Sequence, residues 1–279
     1  KPIFEDRNDD CVRTLERHGV DALFVVGGDG TMSGAKAFID RGVPCIGLPK
    51  TIDNDLVGTD LTFGHLTAVQ IATDALDRVH TTAASHHRVM VVEVMGRNAG
   101  WIALNAGVAS GSDVILMPEI PFTIDAIAKV TEHRATHGRT FTIVCCAEGA
   151  APKGESQLIE RTDDTSPDPV RLGGIAKWVS DQIEDATGIE SRHVVLGHVQ
   201  RGGTPIAQDR ILGTMFGNHA MRLLRDHAFG RLVALQGGQL TDAPMGESAH
   251  RQRTVPMDDP LVEGARKLST SFGDDQTTG

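Results

Sequence analysis

LFVVGGDGTMSGAKAFID, residues 23–40, sets a run of four apolar residues beside a glycine-rich turn, followed by a stretch whose apolar residues return with helical spacing. Leu23–Val26 reads as a strand, Thr31–Asp40 as a helix, and the glycines as the turn at the strand's carboxyl end. The same order, a short aliphatic run, then glycine or proline, then a helical stretch, recurs from Asp21 onward. Such alternation predicts an α/β fold with mainly parallel sheets.

Further strands are expected at Pro44–Leu48, Val89–Val94, Val114–Met117, Thr140–Ala147, His193–Leu196 and Arg231–Leu235. Helices are expected at Asp10–His18, Leu66–Thr82, Ile124–His137, Gly173–Ala186 and Asp209–Arg225. Nearly all the strands are apolar throughout, the pattern of a sheet covered by helices on both faces. Gly154–Pro169, polar and with two prolines, follows neither period and reads as an exposed connection.

With 279 residues, 40% of them hydrophobic, the chain can bury one large core or two modest ones. Lys and Arg total 27 against 37 Asp and Glu, a formal charge of -10, which makes nucleic acid and anionic membranes poor partners. No apolar stretch approaches the roughly 20 residues a bilayer requires. Cys11, Cys45, Cys145 and Cys146 form neither a CxxC pair nor a disulfide-style spacing, and a reducing, cytoplasmic location is expected. The chain opens at Lys1 and runs straight into the charged segment Glu5–Arg13, so a preceding portion is expected.

Gly27, Gly28, Asp29, Gly30 and Thr31 stand where open α/β sheets bind ligands, beyond a strand's carboxyl end and at a helix N-terminus. Glycines there let backbone N–H groups approach a phosphate, and Asp29 can hold a magnesium ion. A plain tight turn with Asp29 as a cap accounts for the same residues equally well. The five residues also resemble the phosphate loop of NAD kinases and diacylglycerol kinases.

A second group, Pro49, Lys50, Thr51, Ile52, Asp53, Asn54 and Asp55, follows the expected strand Pro44–Leu48. Two carboxylates one residue apart can divide the work of phosphoryl transfer, one accepting a hydroxyl proton and the other serving a metal. Asp53 is the candidate base; an Asx-turn is the plain alternative. Met95, Gly96 and Arg97 follow the strand Val89–Val94, and Gly197, His198, Val199, Gln200, Arg201, Gly202 and Gly203 follow His193–Leu196. The other histidines, His65 and those in the polar loop His86–His87 or the charged surroundings of His250 included, lack metal-ligand spacing.

Taken together, these four ordered motifs resemble the phosphofructokinase family from about Asp21 to the C-terminus. The resemblance implies two Rossmann-like lobes, with the family's first βα unit missing upstream. A nucleotide and magnesium lobe would comprise residues 1–64 and 200–254, and a sugar-phosphate lobe residues 65–199 and 255–279. It further implies that Asp53 is the base toward the 1-hydroxyl of fructose 6-phosphate, that Asp29 and Asp55 surround Mg2+, and that Thr51 and Arg97 meet the transferring phosphoryl group. The planar guanidinium of Arg97 suits phosphate oxygens better than a lysine would.

By the same resemblance Arg88, Arg192 and His198 hold the 6-phosphate, and Met95, Gly96, Glu148 and Arg201 surround the sugar. Arg88 and Arg192 reach a neighbouring subunit's site, so a homotetramer is implied. Gly27, Gly28, Asp29, Gly30, Thr31 and Lys50 face the donor. Pyrophosphate users in the family commonly carry an acid where this chain has Gly30 and a lysine where it has Lys50. Gly30 leaves room for the α-phosphate of a nucleotide, so ATP is the expected donor, as in an atypical ATP-dependent group of the family, with pyrophosphate the alternative. Two rival readings are a non-catalytic paralogue, which would not need Asp53, and a kinase of NAD or a lipid, which would not need His198–Gly203.

Overall fold

The computed structural model describes residues 7–162, 170–248 and 251–276. Helix α1 (Asn8–Arg17), strand β1 (Leu23–Gly27), α2 (Asp29–Ile39), β2 (Cys45–Thr51) and the short β3 (Phe63–Gly64) lead into the long helix α3 (His65–His86). There follow β4 (Val89–Val94), α4 (Trp101–Ala109), β5 (Val114–Leu116), α5 (Ile124–Thr136), β6 (Thr142–Ala147), β7 (Ile159–Thr162) and β8 (Val170–Leu172). After α6 (Ile175–Thr187), β9 (Ser191–Val195) and a 3-10 turn (Gly197–Arg201) come α7 (Ala207–Arg225), β10 (Arg231–Gln236), β11 (Gln239–Pro244), α8 (Met245–Ser248) and α9 (Pro260–Lys267).

The chain forms two compact units, the first from residues up to Leu66 and Pro205–Arg253, the second chiefly from Thr67–Asp163, Asp168–Thr204 and Thr254–Gly279. Against an expected boundary after residue 199, the division at Thr204 leaves the whole 3-10 turn in the second unit.

In the first unit the sheet runs β1-β2-β10-β11, with β3 beside β2; β1, β2 and β10 are parallel and β11 closes an antiparallel hairpin. Alternation along β2 sends Ile46 and Leu48 to Leu212, Phe216 and Leu223 of α7, and Cys45 to the other face with Met32 of α2 and Met245 of α8. Helices thus cover both faces, as the unbroken apolar run predicts. Strand β1 departs from that expectation: Phe24 and Val26 are exposed at the described edge of the sheet.

In the second unit the parallel order is β5-β6-β4-β9. Every residue of β4 and β6 is buried. Val89, Val91 and Val144 pack on Ile127 of α5 and on Ala176, Val179 and Ile183 of α6, while α4 lies against β5 and β6. One expectation is corrected here: part of the polar stretch 154–169 is the strand β7, paired antiparallel with β8; positions 163–169 lie outside the described residues. His86 ends helix α3 instead of lying in a loop, and His250 lies outside the described residues. No helix among the described residues is long and apolar enough to cross a membrane.

Candidate active site

Parallel pairing of β1 with β2 places Gly27 beside Pro49, so the glycine turn and the Lys50–Asp55 segment emerge from adjacent strands at the same edge of the first unit's sheet. They touch: a Cβ added to Gly28 would meet the Thr51 Cβ at 3.2 Å. Gly28 is the N-cap of α2, its carbonyl accepting the N–H groups of Thr31 and Met32, each at 3.0 Å. Asp29 therefore lies in the first helical turn, two residues earlier than the spacing predicts, where the helix end favours anionic ligands. Gly30 has open space around it.

Asp53, Asn54 and Asp55 are all buried. Their segment is held from several directions. Asn54 stands at φ +54°, a left-handed conformation in which asparagine is among the favoured side chains. Its amide donates to the Asp60 carbonyl (3.2 Å) and accepts the Thr62 N–H (3.0 Å). The Asp53 N–H donates to the Thr51 hydroxyl (3.2 Å), the Arg253 N–H to the Asp55 carbonyl (2.7 Å), and the Gln252 amide to Asp55 Oδ2 (3.3 Å).

The residues present offer carboxylate oxygens of the kind magnesium takes. Oδ1 of Asp29, Asp53 and Asp55 are buried, and that of Asp29 has no hydrogen-bond partner among the described residues. Among those residues no three His, Cys, Asp or Glu side chains come together. A pair of carboxylates completed by substrate phosphates and water is how magnesium is usually held, whereas a dedicated protein cage is not.

His65 is a supporting residue that spacing did not reveal. Its Nδ1–H donates to the Ile52 carbonyl at 2.7 Å, directly before Asp53. Burial is the largest influence on this imidazole and pushes its pKa below the ordinary 6.5, with Arg253 acting in the same direction, while the Ile52 bond and Asp209 oppose. With the folded value depressed, the neutral ring's contribution to stability is present above pH 6.5 and is lost as pH falls, because the unfolded chain takes up the proton first. Glu93, Glu119 and Asp113, raised by burial, change stability in the opposite sense, so only a comparison isolates His65. His65→Asn, which keeps a side-chain donor, should lose less stability than the parent between about pH 7 and 5 in denaturant titrations; equal losses would show that His65 does not titrate on unfolding.

In the second unit, β6, β4 and β9 are parallel neighbours. Their carboxyl ends bring Glu148, Met95–Arg97 and the 3-10 turn bearing His198 and Arg201 together. Met95, Arg97, Glu148, His198 and Arg201 line one cavity of about 930 Å³, together with Asn98, Gln157, and Glu160, Val170 and Leu172 of the β7–β8 hairpin. Gln200, buried between His198 and Arg201, accepts the Met95 N–H (3.3 Å) and donates to the Gly197 carbonyl (3.1 Å), tying the two motifs.

Arg88 and Arg192 do not line that cavity. They stand at the amino ends of β4 and β9, and a six-residue strand puts roughly 20 Å between them and Met95. Glu190 lies between them, 3.5 Å from Arg88 and 2.8 Å from Arg192, and the buried Nε of Arg88 has no hydrogen-bond partner among the described residues. The expected 6-phosphate residues are thus divided within one chain, His198 beyond the carboxyl ends of the strands and the two arginines at their amino ends.

A glycine turn at a helix N-terminus beside two buried aspartates in one α/β unit, and a cavity lined by Arg97, His198 and Arg201 in the other, are the features expected of a phosphotransferase. Residues 1–224 match the family described as Phosphofructokinase, and the chain belongs to that family. An ATP-dependent 6-phosphofructokinase 2 of Clostridium perfringens is 48% identical over 275 residues, 98% of this chain and 75% of that protein. A pyrophosphate–fructose 6-phosphate 1-phosphotransferase of Amycolatopsis methanolica is 49% identical over 242 residues, 87% of this chain and 71% of that protein. Among solved structures, phosphofructokinase from Saccharomyces cerevisiae superposes with a TM-score of 0.71 at 35% identity, covering 84% of this chain and 32% of the yeast chain. A pyrophosphate-dependent phosphofructokinase from Marinobacter aquaeolei reaches a TM-score of 0.78 at 21% identity over 96% of this chain and 72% of its own, a likeness of fold.

Proposed function

We propose that the protein transfers the γ-phosphoryl group of ATP to the 1-hydroxyl of fructose 6-phosphate, giving fructose 1,6-bisphosphate, in the cytoplasm. The observation that carries this reading is the contact of the Gly27–Thr31 turn with the Thr51–Asp55 segment, two phosphoryl-transfer motifs brought side by side by adjacent parallel strands.

In this reading Gly27, Gly28, Gly30, Thr31 and Lys50 receive the donor phosphates. Asp29 and Asp55 would hold Mg2+, which when bound neutralises charge on the polyphosphate. Asp53 accepts the proton of the attacking hydroxyl. Thr51 and Arg97 meet the transferring group, Arg97 with permanently charged planar donors. Met95, Gly96, Glu148, His198 and Arg201 take the sugar phosphate. Arg88 and Arg192, remote from that cavity in their own chain, serve the 6-phosphate of a neighbouring subunit in a homotetramer.

Relatives of near-equal identity carry both donor names, so overall similarity does not select the donor. Gly30 does, on steric and electrostatic grounds. A Cβ there meets nothing within 4 Å, so a side chain is compatible with the fold and would occupy the space left to the donor. Gly30→Asp should lower kcat/KM for ATP at least about tenfold through repulsion of its phosphates, with less loss for pyrophosphate and unchanged thermal unfolding. Undiminished ATP use would reject the donor argument. Assays of the parent protein with fructose 6-phosphate or NAD as acceptor test the reaction itself, and faster phosphorylation of NAD would reject it.

A further inference from the structure

Arg97 occupies backbone that a residue with a side chain adopts only when its surroundings hold it there. Its φ is +52°, and that of the preceding Gly96 is +140°. Strained backbone of this kind collects at functional sites and persists where neighbouring contacts over-determine it. Here the contacts come from the loop after β6 and from the segment that leads into β7. Glu148 Oε1 accepts the Arg97 N–H at 3.0 Å, and the Glu148 N–H in turn donates to the Val94 carbonyl at 2.9 Å. Gly149 packs directly on the Arg97 carbonyl oxygen, so closely that an added Cβ would overlap it.

One side chain spans this arrangement. The Gln157 amide nitrogen donates to the Gly149 carbonyl at 2.9 Å and to Asn98 Oδ1 at 3.2 Å. It thereby joins the residue packed on the Arg97 carbonyl to the residue that follows Arg97. Both bonds use donor hydrogens of a single amide, so each fixes the direction of the other. The same side chain lines the acceptor cavity.

We propose that Gln157 is a positioning residue for Arg97. By clamping Gly149 and Asn98 together it holds the left-handed turn closed, and the guanidinium is then presented to the transferring phosphoryl group in one orientation. The inference rests on the phosphotransfer reading of Arg97. The competing description is that Gln157 only anchors the β7–β8 hairpin, whose residues form a wall of the same cavity. The two differ in consequence. A loosened wall weakens acceptor binding and raises KM, whereas a misdirected Arg97 leaves binding in place and lowers kcat.

Gln157→Met keeps the length and packing of the side chain and removes the donors. It is expected to lower kcat about tenfold, the worth of one to two hydrogen bonds, while the KM for fructose 6-phosphate changes less than about twofold and thermal unfolding stays a single transition at a somewhat lower midpoint. In an Arg97→Ala background the same substitution should have no further effect on kcat, because the group it positions is gone. A raised KM with unchanged kcat, or an effect that persists at full size without the Arg97 side chain, would overturn the proposal. The Nε–H signal of Arg97 in nitrogen-15 NMR, assigned by its loss in Arg97→Lys, gives a readout independent of turnover. It should broaden or shift in Gln157→Met, and an unchanged signal would overturn the proposal. Should the parent protein phosphorylate no fructose 6-phosphate with either donor, the functional reading falls by itself, and the NMR signal still decides whether Gln157 positions Arg97.

Discussion

Asp53→Asn is expected to lower kcat by about 10²- to 10⁴-fold, the usual contribution of a positioned general base, with the KM for fructose 6-phosphate within about threefold of the parent. The substitution preserves volume and leaves the backbone N–H of Asp53 on the Thr51 hydroxyl, so the segment keeps its path. Neighbours carry that path independently of the carboxylate: the buried Thr62 through Asn54, the partly buried Arg253 through the Asp55 carbonyl, and the buried His65 through Ile52. What asparagine lacks is the capacity to accept a proton, and the loss should fall on the chemical step. Steady-state kinetics with thermal unfolding as a control check this. A kcat within threefold of the parent at unchanged stability would remove Asp53 from the role of base.

Much of the fold can be read from residue order, and the exceptions have physical reasons. Val89–Val94 is bounded by a histidine-rich stretch and by glycine and is apolar but for the buried Glu93, so its limits in sequence and structure coincide. Helix α4 escaped because it is buried on nearly every side: Trp101, Ile102, Ala103, Leu104, Ala106 and Gly107 are all covered, and a helix without a polar face shows no 3.6-residue alternation. Strands β7 and β8 escaped for the opposite reason. They are short and mixed in polarity, and their pairing with each other is what defines them.

The candidate site divides along the same line. Glycines, aspartates and arginines at strand ends stand out because phosphate and metal chemistry, where it operates, restricts residue type at such points. Supporting residues do not. Gln157 meets Asn98 across 59 positions, Gln200 meets Met95 across 105, and Gln252 meets Asp55 across 197. Nothing local marks a glutamine for such a role, since the same residue type is ordinary on a solvated helix or loop. His65 is similar: its partner lies 13 residues away at the end of another strand, and only burial distinguishes it from the exposed histidines of the chain.

The split of the expected 6-phosphate residues between opposite strand ends of one sheet leads to a prediction about assembly. Arg192→Ala should raise the KM for fructose 6-phosphate by about 10- to 100-fold, the cost of one charge-assisted hydrogen bond, with a smaller change in kcat. Glu190, which the arginine contacts at 2.8 Å, keeps Arg88 as a second partner, so the substitution does not strand a buried charge. If Arg192, remote from the cavity of its own chain, completes a neighbour's site as proposed, its defect and that of Asp53→Asn belong to different subunits of one site. Mixed oligomers assembled from equal amounts of the two variants should then regain activity at low fructose 6-phosphate, since about a quarter of the sites combine an intact Asp53 with a neighbour's intact Arg192. Differently tagged variants, exchanged and purified as mixed oligomers, provide the measurement. Activity no higher than the mean of the two parents would show that Arg192 does not complete a neighbour's site.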